Sequence, residues 1–266
     1  MNPLRTVAVT RYVTPLREGG SVPAIVEADD DGMYVLKFRG AGQGPKALIA
    51  ELLAGEIGRA ADLPVPEIVL IQLDPDLART EPDPEIQDLI RASGGLNVAL
   101  DYLPGAVTFD PVTHRPATAL ASAIVWFDAF VTNVDRTARN TNMLMWHRQL
   151  HLIDHGAALY FHHDWDADYL QRSRDPFARI REHVLLPFAG ALPEAHESML
   201  ERLTPQLIRS VVALIPDELL LDAAAGEPAF ATAGEFRAAY ERYLLRRLEP
   251  PQDFFLEAQR AHAQLV

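Results

Sequence analysis

The sequence predicts an α+β fold, strands first and helices after, on three observations. Before residue 104, short β-branched or continuously apolar runs are separated by Gly-, Asp- and Pro-containing breaks. From residue 116 onward, apolar residues recur at helical spacing between recognisable helix starts. In the second half, residues 128–156 gather Asp, Asn and Arg around a short hairpin pattern, and the rest of the chain is organised around that stretch. A run of strands followed by a run of helices is the pattern of an α+β protein.

Residues 6–39 predict three strands. Thr6-Val7-Ala8-Val9 is the first. Pro23-Ala24-Ile25-Val26-Glu27 is the second, entered through Gly19-Gly20-Ser21. Met33-Tyr34-Val35-Leu36-Lys37-Phe38 is the third, after the turn-forming Asp29-Asp30-Asp31-Gly32. Lys37 stands among apolar neighbours, where a lysine needs an anionic partner unless it guards a sheet edge. Pro45 opens a helix to about Ala61 with Leu48, Ile49, Leu52, Leu53 and Ile57 on one face. Two acids of that helix compete for the lysine. At about 100° per residue Glu56 falls at the centre of the apolar arc and Glu51 flanks it near Leu48.

Leu63-Pro64-Val65-Pro66 ends the helix, and Ile68 to Leu73 is an apolar run of strand length. Residues 74–88, with Pro75, Pro82, Pro84 and several acids, predict a polar, mobile loop. Leu96 to Leu103, closed by Pro104-Gly105, predicts a further strand and then a linker. A helix over 116–132 carries Leu120, Ile124, Val125, Phe127 and Val131 on one face, with Asp128 close by as a brace for the loop that follows. Residues 169–183 hold Arg172, Arg174, Arg179 and Arg181 against Asp175 and Glu182, a local positive excess expected on the acceptor side of a cleft. The remainder predicts helices: one capped by Thr204 before Pro205, one restarting at Pro216-Asp217, one over Gly234 to Leu248, and one after Pro250-Pro251.

The chemistry is concentrated in Asn133 to Asn142 and Leu152 to Gly156. Asp135 is followed by Asn140 and, after a short hairpin pattern, by Asp154-His155-Gly156. Phosphoryl transfer from ATP uses such a set: one carboxylate to accept a hydroxyl proton, and an amide plus a second carboxylate to hold Mg²⁺. Met143 to Trp146 and Leu150 to Ile153 read as two strands. A turn near His147-Arg148 then puts Asn142 opposite Ile153 and Thr141 opposite Asp154, so the amides and the second carboxylate meet at one hairpin mouth.

The run from Asn133 through Asp135, Arg136 and Asn140, together with Ile153-Asp154-His155-Gly156, resembles the catalytic core of the HipA-like kinases and, at one remove, of the phosphatidylinositol 3- and 4-kinases. The likeness covers roughly residues 17–160. It implies a two-lobed protein-kinase-like fold. An ATP-binding lobe over 1–103 would be a small antiparallel sheet with one helix, and a mainly helical lobe over 104–266 would carry the catalytic loop. In that arrangement Asp135 accepts the hydroxyl proton, Arg139 neutralises developing charge, and Asn140 and Asp154 hold Mg²⁺. Lys37 contacts the phosphates and pairs with Glu51, the acid early in the helix, in preference to Glu56. Gly19, Gly20 and Ser21 cover the phosphates, and the backbone of Ala99, Leu100, Asp101 and Tyr102 meets adenine. The implied activity is transfer from ATP to a protein Ser or Thr. A lipid or small-molecule kinase, or a pseudokinase that binds nucleotide as a scaffold, is the alternative. One departure stands out: Thr137 occupies the place, two residues after the catalytic Asp, where those families often carry a His.

Composition excludes several classes. A net charge of −13 argues against a nucleic-acid binder, whose affinity comes from Lys and Arg displacing counterions. The absence of Cys excludes disulfides and thiol chemistry. Neither a signal peptide nor an 18-residue apolar run appears, so a cytoplasmic protein is expected. His151, His155, His162, His163 and Asp164 prompt a metal-hydrolase reading. In a strand, however, residues four apart lie about 13 Å from each other, too far for one metal.

Overall fold

The computed structural model describes residues 3–16, 22–165, 168–223, 225 and 230–265. In the first part of the chain lie β1 (Thr6–Pro15), β2 (Ala24–Ala28), β3 (Met33–Lys37), α1 (Pro45–Ala60), β4 (Ile68–Leu73), α2 (Pro84–Ala92) and β5 (Gly95–Asp101). The five strands form a closed barrel in the order β1-β2-β3-β5-β4, not the small antiparallel sheet expected. Closure depends on β1, which is ten residues long where the sequence predicted four. Its register on β2 slips between Val9 and Arg11 and again between Tyr12 and Thr14. Such irregularities bend a strand, so its first half can pair in parallel with β4, Thr6 opposite Leu70 and Val7 opposite Ile71. Alternate residues fill the interior, among them Val7, Val9, Val26, Leu36, Val69, Ile71 and Ala99.

Residues 74–88 are not a loop. A 3₁₀ turn (Pro75–Thr80) and α2 occupy them, each opened by an Asp whose side chain accepts a backbone N–H: Asp74 from Asp76 and Asp83 from Glu85. Pro75 and Pro84 sit at the first helical position, where proline is favoured. Ala78, Ile86 and Ile90 then pack with the barrel interior.

Helix α1 is buried from Leu48 through Gly58. It lies between the barrel and the second half of the chain, and its glycines permit the close approach. A Cβ on Gly55 would sit 2.3 Å from Ile68 Cδ1, and one on Gly58 3.3 Å from Phe127 Cζ. One apolar core runs from Leu52, Ile57 and Val98 to Phe127, Leu186, Leu220 and Tyr240, so it crosses residue 104 without a break.

The second part holds β6 (Val107–Thr108), α3 (Thr118–Phe130), β7 (Met143–Trp146), β8 (Gln149–Leu152), α4 (Leu192–Arg202), α5 (Pro205–Val212), α6 (Asp217–Ala223), α7 (Ala233–Leu248) and α8 (Asp253–Ala263), with short 3₁₀ turns between residues 160 and 188. Strands β6, β7 and β8 make a small antiparallel sheet. The hairpin register is the one expected, Met143 opposite Leu152 and Trp146 opposite Gln149. His147 and Arg148 both take positive φ (47° and 66°), as a type I′ turn requires. The caps at Thr204 and Thr232 form, the latter as a capping box with Glu235. Arg247, fully buried, donates to the carbonyls of Ala129 and Phe130 at the end of α3 and to those of Ser173 and Asp175. A cation there meets the negative end of the helix dipole, and it ties residues 173–175 to the helix that leads into residues 131–142. Among the described residues no helix is long and apolar enough to cross a membrane.

Candidate active site

Four elements converge at the mouth of the β7–β8 hairpin. Strand β3 ends on Lys37, whose Nζ donates to Asp154 Oδ1 at 2.7 Å and lies 3.6 Å from Glu51 Oε2 on α1. Glu51 Oε1 lies 3.3 Å from His155 Nδ1. Burial works against the ammonium, but the Glu51 and Asp154 carboxylates outweigh it, and the lysine pKa ends above its usual value. Burial likewise works against the Glu51 carboxylate. Lys37 and then His155 outweigh it, and Glu51 is held below the usual carboxylate range. Glu56, the other acid weighed for this pairing, turns instead to Arg59 at 3.5 Å, and burial pushes its pKa up.

Asp154 follows β8 with φ 56°, and Asn142 precedes β7 with φ 47°. Left-handed backbone is costly for non-glycine residues and clusters at functional sites. Ile153 N donates to Asn142 O at 3.0 Å, which closes the mouth between them. Asp135 Oδ2 accepts from Asn140 Nδ2 at 2.7 Å and from Asn142 Nδ2 at 3.2 Å. With both amide nitrogens turned to Asp135, each amide leaves its oxygen as the available donor atom. One carboxylate, Asp154, and amide oxygens are a hard, all-oxygen set that fits Mg²⁺, a cation bound through one or two carboxylates together with substrate phosphates. Among the described residues no group of three His, Asp or Glu could hold a metal ion: His151 lies on β8, His155 beyond its end, and only His162 and His163 share an element, the 3₁₀ turn Tyr160–His163.

The loop is braced from beneath. Asp128 is fully buried, and its carboxylate takes Asn133 Nδ2 at 3.0 Å, Arg136 Nε at 2.6 Å and His183 Nε2 at 2.8 Å. Burial would raise its pKa, but Arg136 and His183 lower it below the usual range. Arg136 also donates to Asn142 O and, at 3.4 Å, to Ile153 O, so it clasps both sides of the hairpin mouth. Asp128 is therefore the expected brace, although its partners are side chains rather than backbone N–H groups.

Other sequence expectations are changed. Ala99, Leu100 and Asp101 lie in β5, which pairs with β3 on one side and β4 on the other. Asp101 N donates to Glu67 O and Tyr102 N to Met33 O, so these amides are engaged in the sheet. Beyond Asp101 the chain leaves β5 and runs as a linker to β6. Arg139 is exposed and makes no hydrogen bond or ion pair among the described residues. Gly19, Gly20 and Ser21 lie outside the described residues. Arg172 and Arg174 are held by main-chain carbonyls away from the converging groups, and Arg174 lines a separate pocket with Pro176, Leu256 and Arg260. Arg172 donates to the carbonyls of Asp164 and Phe161, and Arg174 to those of Glu249 and Pro251. A cavity of about 840 Å³ lined by Val107, Phe109, Arg115, Met145 and Leu150 contains none of the converging groups. Asn142 and His155 stand inside the stretches the sequence singles out, though neither was named there as a site residue; the contacts of His183 and Arg247 left no local signal in the sequence.

The fold is kinase-like. It is similar to the Helicobacter pylori proinflammatory kinase CtkA, with a TM-score of 0.59 and 12% identity over 99% of this chain and 100% of that one. It is also similar to the Golgi casein kinase with Mn/ADP bound, with a TM-score of 0.50 and 13% identity over 98% of this chain and 74% of that one. At such identities the likeness concerns fold alone. The family model described as HipA-like kinase matches residues 9–231, and the chain belongs to the HipA-like kinase family. No curated protein matches. The chain is thus a kinase, a phosphotransferase by class.

Proposed function

We propose that this kinase transfers the γ-phosphoryl group of ATP, with Mg²⁺, to a Ser or Thr hydroxyl of a protein. The carrying observation is the triad in which Lys37 bridges the buried Glu51 and the more open Asp154. Lys37, held by Glu51, binds the phosphates, and the backbone from Leu103 to Gly105 faces the base. The division falls near residue 103, with the nucleotide lobe before it and the catalytic loop after. Asp154 and the amide oxygen of Asn140 hold Mg²⁺, which when bound neutralises charge on the phosphates. Asp135, kept in place by the two amides, orients the acceptor hydroxyl and takes its proton. Arg139, exposed at the loop tip, is free to turn toward the transferring group. The Golgi casein kinase, by name a kinase of a protein and solved with Mn/ADP, supports a nucleotide, a divalent cation and a protein acceptor.

The test is incubation with γ-labelled ATP and Mg²⁺, alone and with a cell extract, followed by separation of labelled protein, lipid and soluble products. Label on phosphoserine or phosphothreonine is expected. Label confined to lipid or a small molecule would refute the acceptor class. Calorimetry that shows no binding of a non-hydrolysable ATP analogue with Mg²⁺ would refute the whole reading.

A further inference from the structure

An imidazole from beyond the hairpin reaches the base of the loop that carries Asp135. His183 pairs with Thr137 as an antiparallel bridge, and the next residue, Val184, donates its N–H to Arg136 O at 3.2 Å. The ring is buried, and each nitrogen has one partner. Nδ1 accepts the N–H of Leu185 at 3.0 Å, which places the ring proton on Nε2, and Nε2 donates to Asp128 Oδ2 at 2.8 Å. A neutral donor suits this position, because Arg136 already supplies the positive charge opposite Asp128.

The bonds then run on to Asp135. The other oxygen of Asp128 holds the Asn133 amide N–H, and Asn133 Oδ1 accepts the N–H of Asp135 at 3.2 Å. Arg136, adjacent to Asp135 in the chain, shares Asp128 Oδ2 with His183. Without the imidazole, Asp128 loses one of its three donors and can rotate, and both Asn133 and Arg136 follow it. We infer that His183 is a positioning residue of phosphoryl transfer, holding Asp128 and through it the turn that presents Asp135. This rests on the assignment of Asp135 as the base. A displacement of about 1 Å at the reacting group can cost up to about 10²-fold in rate.

Two substitutions separate the nitrogens. His183→Gln keeps a donor near the place of Nε2, whereas His183→Asn keeps an acceptor near the place of Nδ1 and loses the donor to Asp128. The readouts are label transfer from γ-labelled ATP to a fixed amount of cell extract, KM for ATP, melting temperature, and amide hydrogen exchange of residues 133–142. The Gln variant is expected to stay within about threefold of the parent rate. The Asn variant should fall about tenfold or more with KM for ATP unchanged, and exchange across the loop should rise in the Asn variant only. A parent rate and parent exchange in the Asn variant would overturn the inference. So would equal losses in both variants tracking a lowered melting temperature, since that is a merely structural role. A parent that transfers no phosphate would overturn the assignment of Asp135, and the exchange comparison would still decide whether the brace exists.

Discussion

Replacing Lys37 by Met should harm stability through Glu51 and not through Asp154, although the lysine is closer to Asp154. The two carboxylates differ in exposure: the Glu51 side chain is 1% exposed and that of Asp154 39%. Removing the cation from a buried pair strands a charge at a cost of about 3–5 kcal/mol, whereas a pair open to water is worth at most about 1 kcal/mol. His155 remains 3.3 Å from Glu51 and can relieve part of the loss, so about 3 kcal/mol is expected. At about 2–4 °C per kcal/mol for a chain of this size, that is roughly 6–12 °C in melting temperature. Glu51→Gln added to Lys37→Met should return about 2 kcal/mol, because a neutral amide needs no counter-charge and replacing both partners of a buried pair is often near neutral. Asp154→Asn added to Lys37→Met should return less than about 1 kcal/mol. Denaturant midpoints of the parent and the three variants, without nucleotide at neutral pH, give the three free-energy differences. The reasoning fails if Lys37→Met costs under about 1 kcal/mol, or if Asp154→Asn restores as much as Glu51→Gln.

Three further outcomes follow from the same geometry. Asp154→Asn should weaken Mg-ATP binding and abolish transfer together, while Asp135→Asn should leave Mg-ATP affinity within about threefold and lower turnover roughly 10²-fold; titrations and single-turnover rates on the same preparations check both. Gly55→Ala should destabilise by about 1–3 kcal/mol, because the new methyl would sit 2.3 Å from Ile68 Cδ1 in a packed helix–barrel contact; an unchanged melting temperature would refute it. Asp128 binds a proton less readily folded than unfolded, so its stabilisation is complete above its ordinary pKa of about 4 and fades as pH falls below that. Asp128→Asn should therefore be less stable at neutral pH yet lose less on acidification, and parallel pH profiles for parent and variant would contradict this.

How much of this was legible in the sequence depends on how local each cause is. The hairpin register follows from strand alternation and the turn position, both contained in residues 143–152, and the expected pairing is the one found. The cap at Thr204 is equally local, and the capping box of Thr232 with Glu235, though just as local, was not read from the sequence. Residues 74–88 misled because their Asp and Pro residues were read as breakers, when Asp before Pro also starts a helix and Ile86 and Ile90 could bury against the barrel. Barrel closure was hidden because it pairs β1 with β4, sixty residues apart, through bulges that leave no pattern in composition. The choice between Glu51 and Glu56 shows a deeper limit. A helical wheel separates faces only when one of them meets water, and α1 is enclosed on every side, so both acids are buried and what distinguishes them is the cation each one meets. The same holds for His183. An imidazole beneath the loop that carries Asp135 is defined by where it stands in space, and since the chain returns to Asp128 only after the hairpin and the turns that follow it, no spacing rule written around Asp135 could have found it.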